Sequence, residues 1–463
     1  MHLLLKKYQL LLLLSMAVSF AFGQSNLNVN LLGHWDDDTL PVASPGNLNL
    51  QYSGTWGLAV NGHEFAVLGG AHHILFFDVT QPNQPQLVGK FAGTATTIWR
   101  EIKSYKNRIY AVSDNTNEGL MIFDLRQAPN TITRTYWSNE FFNKSHTITL
   151  DTVSGRIYLN GTDAANQGLL VLDVSQNPDK PTLLANVDLQ QYGGYIHDSY
   201  VRNDTIYASS GFEGYYVIDM KDVNNPQLIA NTATGGYNHN SWLNKAGTYA
   251  YYTEEIPDGQ PIKIVDLQKL AMNEIEVVGA FIDSLTPNGG PIRPVPHNVY
   301  IKDNLLFDSQ YEDGLLVYDI SIPTQPVLVA HYDTHPENTI YNRYYGNWGN
   351  YPWLPSGTII AGDMQNGLYL LKLDLPVNTN DPGELGAVIF PNPVHTTLTV
   401  QLSVNAGPWS YRIFNPEGRL LANENNVGQS MTDIPVAGFS TGLYFLEVRN
   451  SNGASTVRKF IVE

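Results

Sequence analysis

The chain reads as all-β: a seven-bladed β-propeller followed by a small Ig-like β-sandwich. Three observations predict this. A strand–turn–strand unit, clearest from Gly314 to Ala330, recurs along the chain; an apolar run closes on an Asp, a turn with Pro-x-x-Pro follows, and a second apolar run comes next. The closing positions Asp78, Asp124, Asp173, Asp219, Asp266, Asp319 and Lys372 lie 46, 49, 46, 47, 53 and 53 residues apart. A period in the forties suits four-stranded blades better than the shorter coils of solenoids. After a breaker-rich stretch the repeat stops and short alternating strands of another pattern begin.

In chain order, residues 1–23 read as a signal peptide: Lys6 and Lys7, an apolar run from Leu10 to Phe22, and Ala21-Phe22-Gly23 as the cleavage site. The run is shorter than the ~20 residues that span a bilayer. Residues 24–374 form the propeller. Leu31 to Trp35 matches the fourth-strand pattern of Leu87 to Phe91, yet it precedes any first strand, while the seventh unit stops at Leu373 without a fourth. Pairing Leu31–Trp35 with Leu368–Leu371 closes the ring and leaves no open edge.

Within blade 6 the four strands are His297–Ile301, Leu305–Asp308, Leu315–Asp319 and Val327–Val329. Gly119, Gly168, Gly214, Gly314 and Gly367 precede third strands, where a tight turn calls for positive φ. The pairs Pro82/Pro85, Pro178/Pro181 and Pro323/Pro326 recur between third and fourth strands and set turns there. Blade 5, around Ile262–Asp266, lacks both features. Residues 375–385, including Pro376 to Gly383, form a linker. Residues 386–463 carry the second module, with strands at Leu398–Val400, Tyr411–Phe414, Gly442–Val448 and Arg458–Val462.

The formal charge is −17, from 26 basic and 43 acidic residues, and loss of the signal peptide removes two more lysines. Such a surface excludes nucleic acid as a partner. No later stretch is long and apolar enough to cross a membrane as a helix. The absence of Cys excludes disulfides and a lipidated thiol, so any metal site must use His, carboxylate or backbone oxygen.

Counting back nine residues from the second-strand Ile, Ile or Leu reaches Arg100, His197 and His297. Longer turns add His146 and His239, and blades 1 and 7 offer Trp56 and Trp348. Equivalent positions in a propeller ring the central channel. The returning second strands bring Asp114, Asp163, Glu213, Glu254, Glu255, Asp308, Glu312 and Asp363 to the same face.

The expected binding set is therefore Arg100, Glu101, His146, His197, Asp198, His239, Glu254 and His297. Its four histidines are candidate ligands for a divalent metal, Ca or Zn, or for grip on a polar ligand such as a sugar. The structural alternative is that each His satisfies a neighbouring blade's backbone. A binding protein is the first reading; a metal-dependent hydrolase or lyase with one of these histidines as general base is the second.

Residues about 30 to 374 resemble the LVIVD-repeat, or choice-of-anchor B, propellers through Gly168–Val174, Gly314–Ser321, Trp99–Lys103, Tyr237–Leu243, Pro296–Tyr300 and Asn350–Thr358. The resemblance implies the fold and a surface location. Residues 386–463 are similar to a type IX secretion C-terminal sorting domain of type A, through Pro391-Asn392-Pro393, Gly418-Arg419, Gly442-Leu443-Tyr444 and Lys459–Val462. That implies export by the type IX machinery of a Bacteroidetes-type bacterium. The tail would then be removed and the cargo released or fixed to surface lipopolysaccharide.

Overall fold

The computed structural model describes residues 26–463 apart from 44–47, 166–167, 284, 286–292, 337–344, 376–385, 403–407, 417 and 452–454. The expected signal peptide and the linker from Pro376 to Gly383 lie outside the described residues. The chain divides into two compact units, Met1–Leu375 and Pro376–Glu463.

The recurring Asp has a local cause. Asp78, Asp124, Asp173, Asp219, Asp266 and Asp319 each accept, through Oδ1, the backbone N–H two residues on, at 2.6–3.0 Å. This side-chain turn ends the third strand before the backbone can pair further. The Pro pairs work across blades as well as within them. Tyr110 Oη donates to the carbonyl of Pro178 at 2.8 Å, and Tyr251 Oη to that of Pro323 at 2.9 Å, so the turn of one blade anchors the second strand of its neighbour.

Seven antiparallel sheets build the first unit among the described residues. Their innermost strands are Tyr52–Val60, Arg100–Tyr105, Thr147–Asp151, Asp198–Arg202, Asn238–Leu243, Asn298–Lys302 and Asn347–Tyr351, each beside the next, with the last beside the first. That closed succession is a β-propeller. The core lies between sheets: Val67 and Phe76 of blade 1 meet Ile109 and Phe123 of blade 2, and Ile264 of blade 5 meets Leu306 and Leu316 of blade 6. Each fully buried Leu or Phe stabilises by roughly 1.5–3 kcal/mol, so inter-blade burial holds the ring.

Closure runs as the sequence pattern expects. Val29–Trp35 forms the outer strand of blade 7, with Leu31 opposite Leu371, Gly33 opposite Leu370 and Trp35 opposite Leu368. Just before it, Asn26 and Leu27 pair with Tyr332 and His331 as a fifth strand on blade 6. One segment thus covers the edges of two blades. Of the glycines before third strands, Gly119, Gly214, Gly314 and Gly367 have positive φ, whereas Gly168 does not. Gly168 is needed for space instead, because a Cβ there would lie 1.8 Å from the Val187 carbonyl.

The second unit has a three-stranded and a four-stranded antiparallel sheet sharing one core, which includes Val394, Leu398, Ile413, Leu446 and Phe460.

The closing strand is tested at Gly33, where a Cβ would stand 1.9 Å from the Pro82 carbonyl oxygen of blade 1. Gly33→Ala is expected to cost about 1–3 kcal/mol, as overpacking does elsewhere. Urea denaturation of the two proteins checks this, with an unchanged midpoint as the contrary result.

Candidate functional site

The innermost strands begin irregularly, and this irregularity makes the site. In blades 3, 4 and 6 the N–H groups of His146, His197 and His297 donate to Asn160, Ser209 and Ser309 at 3.0, 2.8 and 2.9 Å. Those acceptors already face the following residues, Thr147, Asp198 and Asn298, so each His is displaced by one step. His239 and Trp348 sit inside register shifts of blades 5 and 7. The displaced rings meet in file: His146–His197 and His197–His239 at 4.3 Å, His239–His297 at 4.2 Å and His297–Trp348 at 4.5 Å between centroids.

Each ring is tied to the next blade. His197 Nδ1–H donates to the His239 carbonyl at 3.0 Å, His239 Nδ1–H to the His297 carbonyl at 2.9 Å, and His297 Nδ1–H to the Trp348 carbonyl at 2.5 Å. A carbonyl can only accept, so Nδ1 carries the proton and each neutral ring keeps its lone pair on Nε2. Burial, reinforced by neighbouring imidazoles, pushes His197 and His239 well below the usual imidazole range and brings His297 down to about 3. His146 ends the file differently: its Nδ1 lies 3.0 Å from Asp114 Oδ2, and Asp114 also binds Lys144 Nζ at 2.9 Å. Against the upward pull of burial, these bonds hold the Asp114 carboxyl well below its ordinary range.

Behind the file, Glu101, Asp198 and Tyr300 line a cavity of about 10 Å³ with the histidines and Trp348. That volume holds one water or one ion and is too small for an organic ligand. Burial raises the Glu101 and Asp198 carboxyls. Trp348 Nε1–H donates to Glu101 at 3.1 Å, Asn240 Nδ2–H to Asp198 at 2.7 Å, and Lys103 Nζ stands 3.8 Å from Glu101. Deeper, Trp56, Trp242, Tyr300, Tyr351 and Trp353 pack at 5.0–5.8 Å between centroids. Trp56 therefore belongs to this aromatic layer rather than to the histidine file.

Two residues of the expected set fall elsewhere. Blade 2 has no displacement, its pairing running unbroken from Arg100–Ser113 to Tyr105–Arg108, so Trp99 rather than Arg100 faces His146, with centroids 6.2 Å apart. Arg100 is turned between blades 1 and 2, where its Nη1 binds Glu118 at 2.5 Å and its remaining donors reach the Gly70 and Ala95 carbonyls. Glu254 is turned away from the channel and accepts the Gly235 and Gly236 amides at 2.8 and 2.9 Å. Asp163 binds the amides of Asn143 and Lys144 in the same manner, and Asp363 those of Gln365 and Asn366. Asp308 is fully buried, and its carboxyl is pushed well up by burial and then by Asp283.

Beside the file, Glu255 Oε2 stands 3.9 Å from His239 Nε2, while Tyr311 Oη donates to Glu255 Oε1 at 2.9 Å. His239, Glu255 and His297 bring ligand atoms within 4.8 Å of one another. Around His197 lie Tyr195 and Phe212, 41% and 66% exposed, with Tyr237 linking Phe212 at 5.0 Å to His197 at 5.2 Å. A roomier cleft of about 380 Å³ beside Lys269 and Glu276 contains no histidine or aromatic ring.

The Arg100–Glu118 pair is a matter of stability. Burial raises the Glu118 carboxyl, but the Arg100 bond and charge outweigh it and hold the group at about 2, against an ordinary 4.5. The pair's contribution is full above about pH 4.5 and is lost as pH falls through about 2. Arg100→Met, which strands a buried carboxylate, is expected to cost about 3–5 kcal/mol at neutral pH. Denaturation curves at pH 7 and pH 2 check this; an equal loss at both would contradict it.

Residues 388–463 match the family model of the Secretion system C-terminal sorting domain, and residues 297–334 that of the LVIVD repeat. No curated protein matches. Among solved structures, PorZ of Porphyromonas gingivalis, described as an essential bacterial surface component of the type-IX secretion system, is similar at 14% identity and a TM-score of 0.50. The match covers 92% of this chain and 61% of PorZ. A protein from Lactobacillus plantarum matches at 12% identity and a TM-score of 0.47, covering 83% of this chain and 98% of that one. The chain thus carries an LVIVD repeat within its β-propeller and a type IX sorting domain at residues 388–463, and that sorting domain marks it for the cell surface or beyond.

Proposed function

We propose that this exported propeller is a binding protein that holds a polar ligand, of carbohydrate type, on the mouth above the histidine file. The observation that carries the reading is the exposed rim of Tyr195 and Phe212 beside the His197 ring and Tyr237. Exposed aromatic faces next to fixed polar groups suit a sugar ring, whose C–H face stacks while its hydroxyls find partners. The small volume behind the rings supports a ligand seated on the mouth, not inside it. The sorting domain belongs to transport, with the type IX machinery as partner, and its removal would leave the propeller released or fixed to surface lipopolysaccharide.

A metal-dependent hydrolase or lyase is the second reading, favoured by the proximity of His239, Glu255 and His297. Turnover of a bound glycan, abolished by chelation, would raise it above the first.

Two outcomes are expected. Deleting residues 388–463 should strand a folded propeller in the periplasm; normal extracellular levels of the truncated protein would argue against the transport role. On a glycan array, the mature protein should retain a defined set of sugars, and Phe212→Ala and Tyr195→Ala should each weaken binding about tenfold. That loss corresponds to about 1.4 kcal/mol for each ring. An array without signal, or binding indifferent to both substitutions, would count against the mouth as a binding site.

A further inference from the structure

We infer that His239, Glu255 and His297 form a site for one Zn²⁺ ion beside the channel mouth. This deepens the reading of the mouth as a binding site, supplying a Lewis-acidic centre next to the aromatic rim. Three features of the structure carry it together.

The first is convergence. One oxygen and two nitrogens, from three strands or strand ends in two neighbouring blades, come within 4.8 Å of one another, with His239 and His297 buried. A shared tetrahedral ion with bonds of about 2.0–2.1 Å draws its donors to about 3.3 Å apart. The His239–Glu255 separation of 3.9 Å is thus a small contraction away from the loaded geometry.

The second is protonation. Both Nδ1 atoms already donate to carbonyls, of His297 and Trp348, which leaves Nε2 as the lone-pair atom on each ring. A neutral imidazole held this way presents Nε2 to a metal and loses no proton on binding it.

The third is orientation. Each ligand has its own outer partner: a backbone carbonyl for each histidine, and the Tyr311 hydroxyl, 2.9 Å from Oε1, for Glu255. The Glu255 amide is also fixed, donating to the Tyr237 carbonyl at 3.0 Å. Such second contacts are what orient the ligands of zinc sites and raise their affinity. Tyr311 holds its place at φ 28°, a left-handed conformation costly for a bulky side chain, which the surrounding structure has to enforce.

Ligand chemistry chooses the ion. Two imidazoles and one carboxylate suit a borderline ion of tetrahedral habit; Ca²⁺ takes six to eight oxygens, and the set supplies too few. Three protein ligands leave a fourth position for water or for an oxygen of the ligand on the mouth. His146 and His197 continue the file of rings but fall outside the converging set, so the ion belongs to the His239 end.

The test uses the mature full chain, purified without chelators and then stripped. Titration with ZnCl₂, read by calorimetry and by elemental analysis after dialysis, should give one ion per chain. Co²⁺ in its place should show the intense visible absorption of a tetrahedral site. Glu255→Gln keeps the side-chain shape and both histidine–carbonyl bonds, and should weaken Zn²⁺ binding at least tenfold. Tyr311→Phe should weaken it 10- to 100-fold, as loss of an outer-shell partner does. Thermal melting of each metal-free variant beside the parent separates lost binding from lost folding. No stoichiometric Zn²⁺, or a stoichiometry and affinity untouched by Glu255→Gln, overturns the site. Sugar retention without Zn²⁺ removes this inference and leaves the mouth as a binding site; Zn²⁺ binding with a blank glycan array does the reverse.

Discussion

A ring of sheets has to hide its last edge, and everything else in the propeller depends on that closure. Each blade is held by apolar packing on the next, a strategy that works only if no blade lacks a neighbour and none exposes a free strand. The chain meets the requirement by lending Val29–Trp35 to its seventh sheet, while Asn26 and Leu27 just before it pair on the sixth. Closure in turn makes the channel narrow enough for side chains at the starts of the inner strands to touch.

Contact at the channel explains why the histidine file has two sides to its chemistry. Nδ1 bolts one blade to the next through a backbone carbonyl, a structural task that the repeat copies from blade to blade. The same bond settles which nitrogen carries the proton, so Nε2 is left with a lone pair in a nearly dry setting. The structural and functional readings of these residues are therefore two ends of one ring, and a substitution at any of them disturbs both. The side chains of Glu255 and Tyr311 are more informative positions, because they touch the file without taking part in its ring-to-carbonyl bonds.

Much of the architecture was legible because its signals repeat. A fourth-strand pattern at Leu31–Trp35 with no blade of its own, set against a seventh unit with a strand missing, was enough to pair the two. The closing Asp was legible as a mark, and its cause is an amide bond two residues on. Where reading from sequence failed, the error was one residue wide. Arg100 counts to the same repeat position as His197, but the step of displacement in blade 4 is absent from blade 2, and such a step leaves no trace in composition. Since successive residues on a strand face opposite sides, a single step exchanges channel for interface. Glu254 and Glu255 divide in the same way. The rim escaped notice because Tyr195, Phe212 and Tyr237 come from different turns, and only folding brings them together.

The pairing of Leu31 with Leu371 also has a bearing on time. Those two residues are separated by nearly the whole propeller, so the pairing that completes the ring is far apart in sequence and slow to find by chain diffusion. A chain emerging N-terminus first presents its outer strand long before the sheet that receives it exists. Until then the strand is an exposed edge with apolar residues and no partner, the state in which β-proteins most readily associate wrongly. For an exported propeller built this way, the ring closes only when its two ends are on the same side of the membrane.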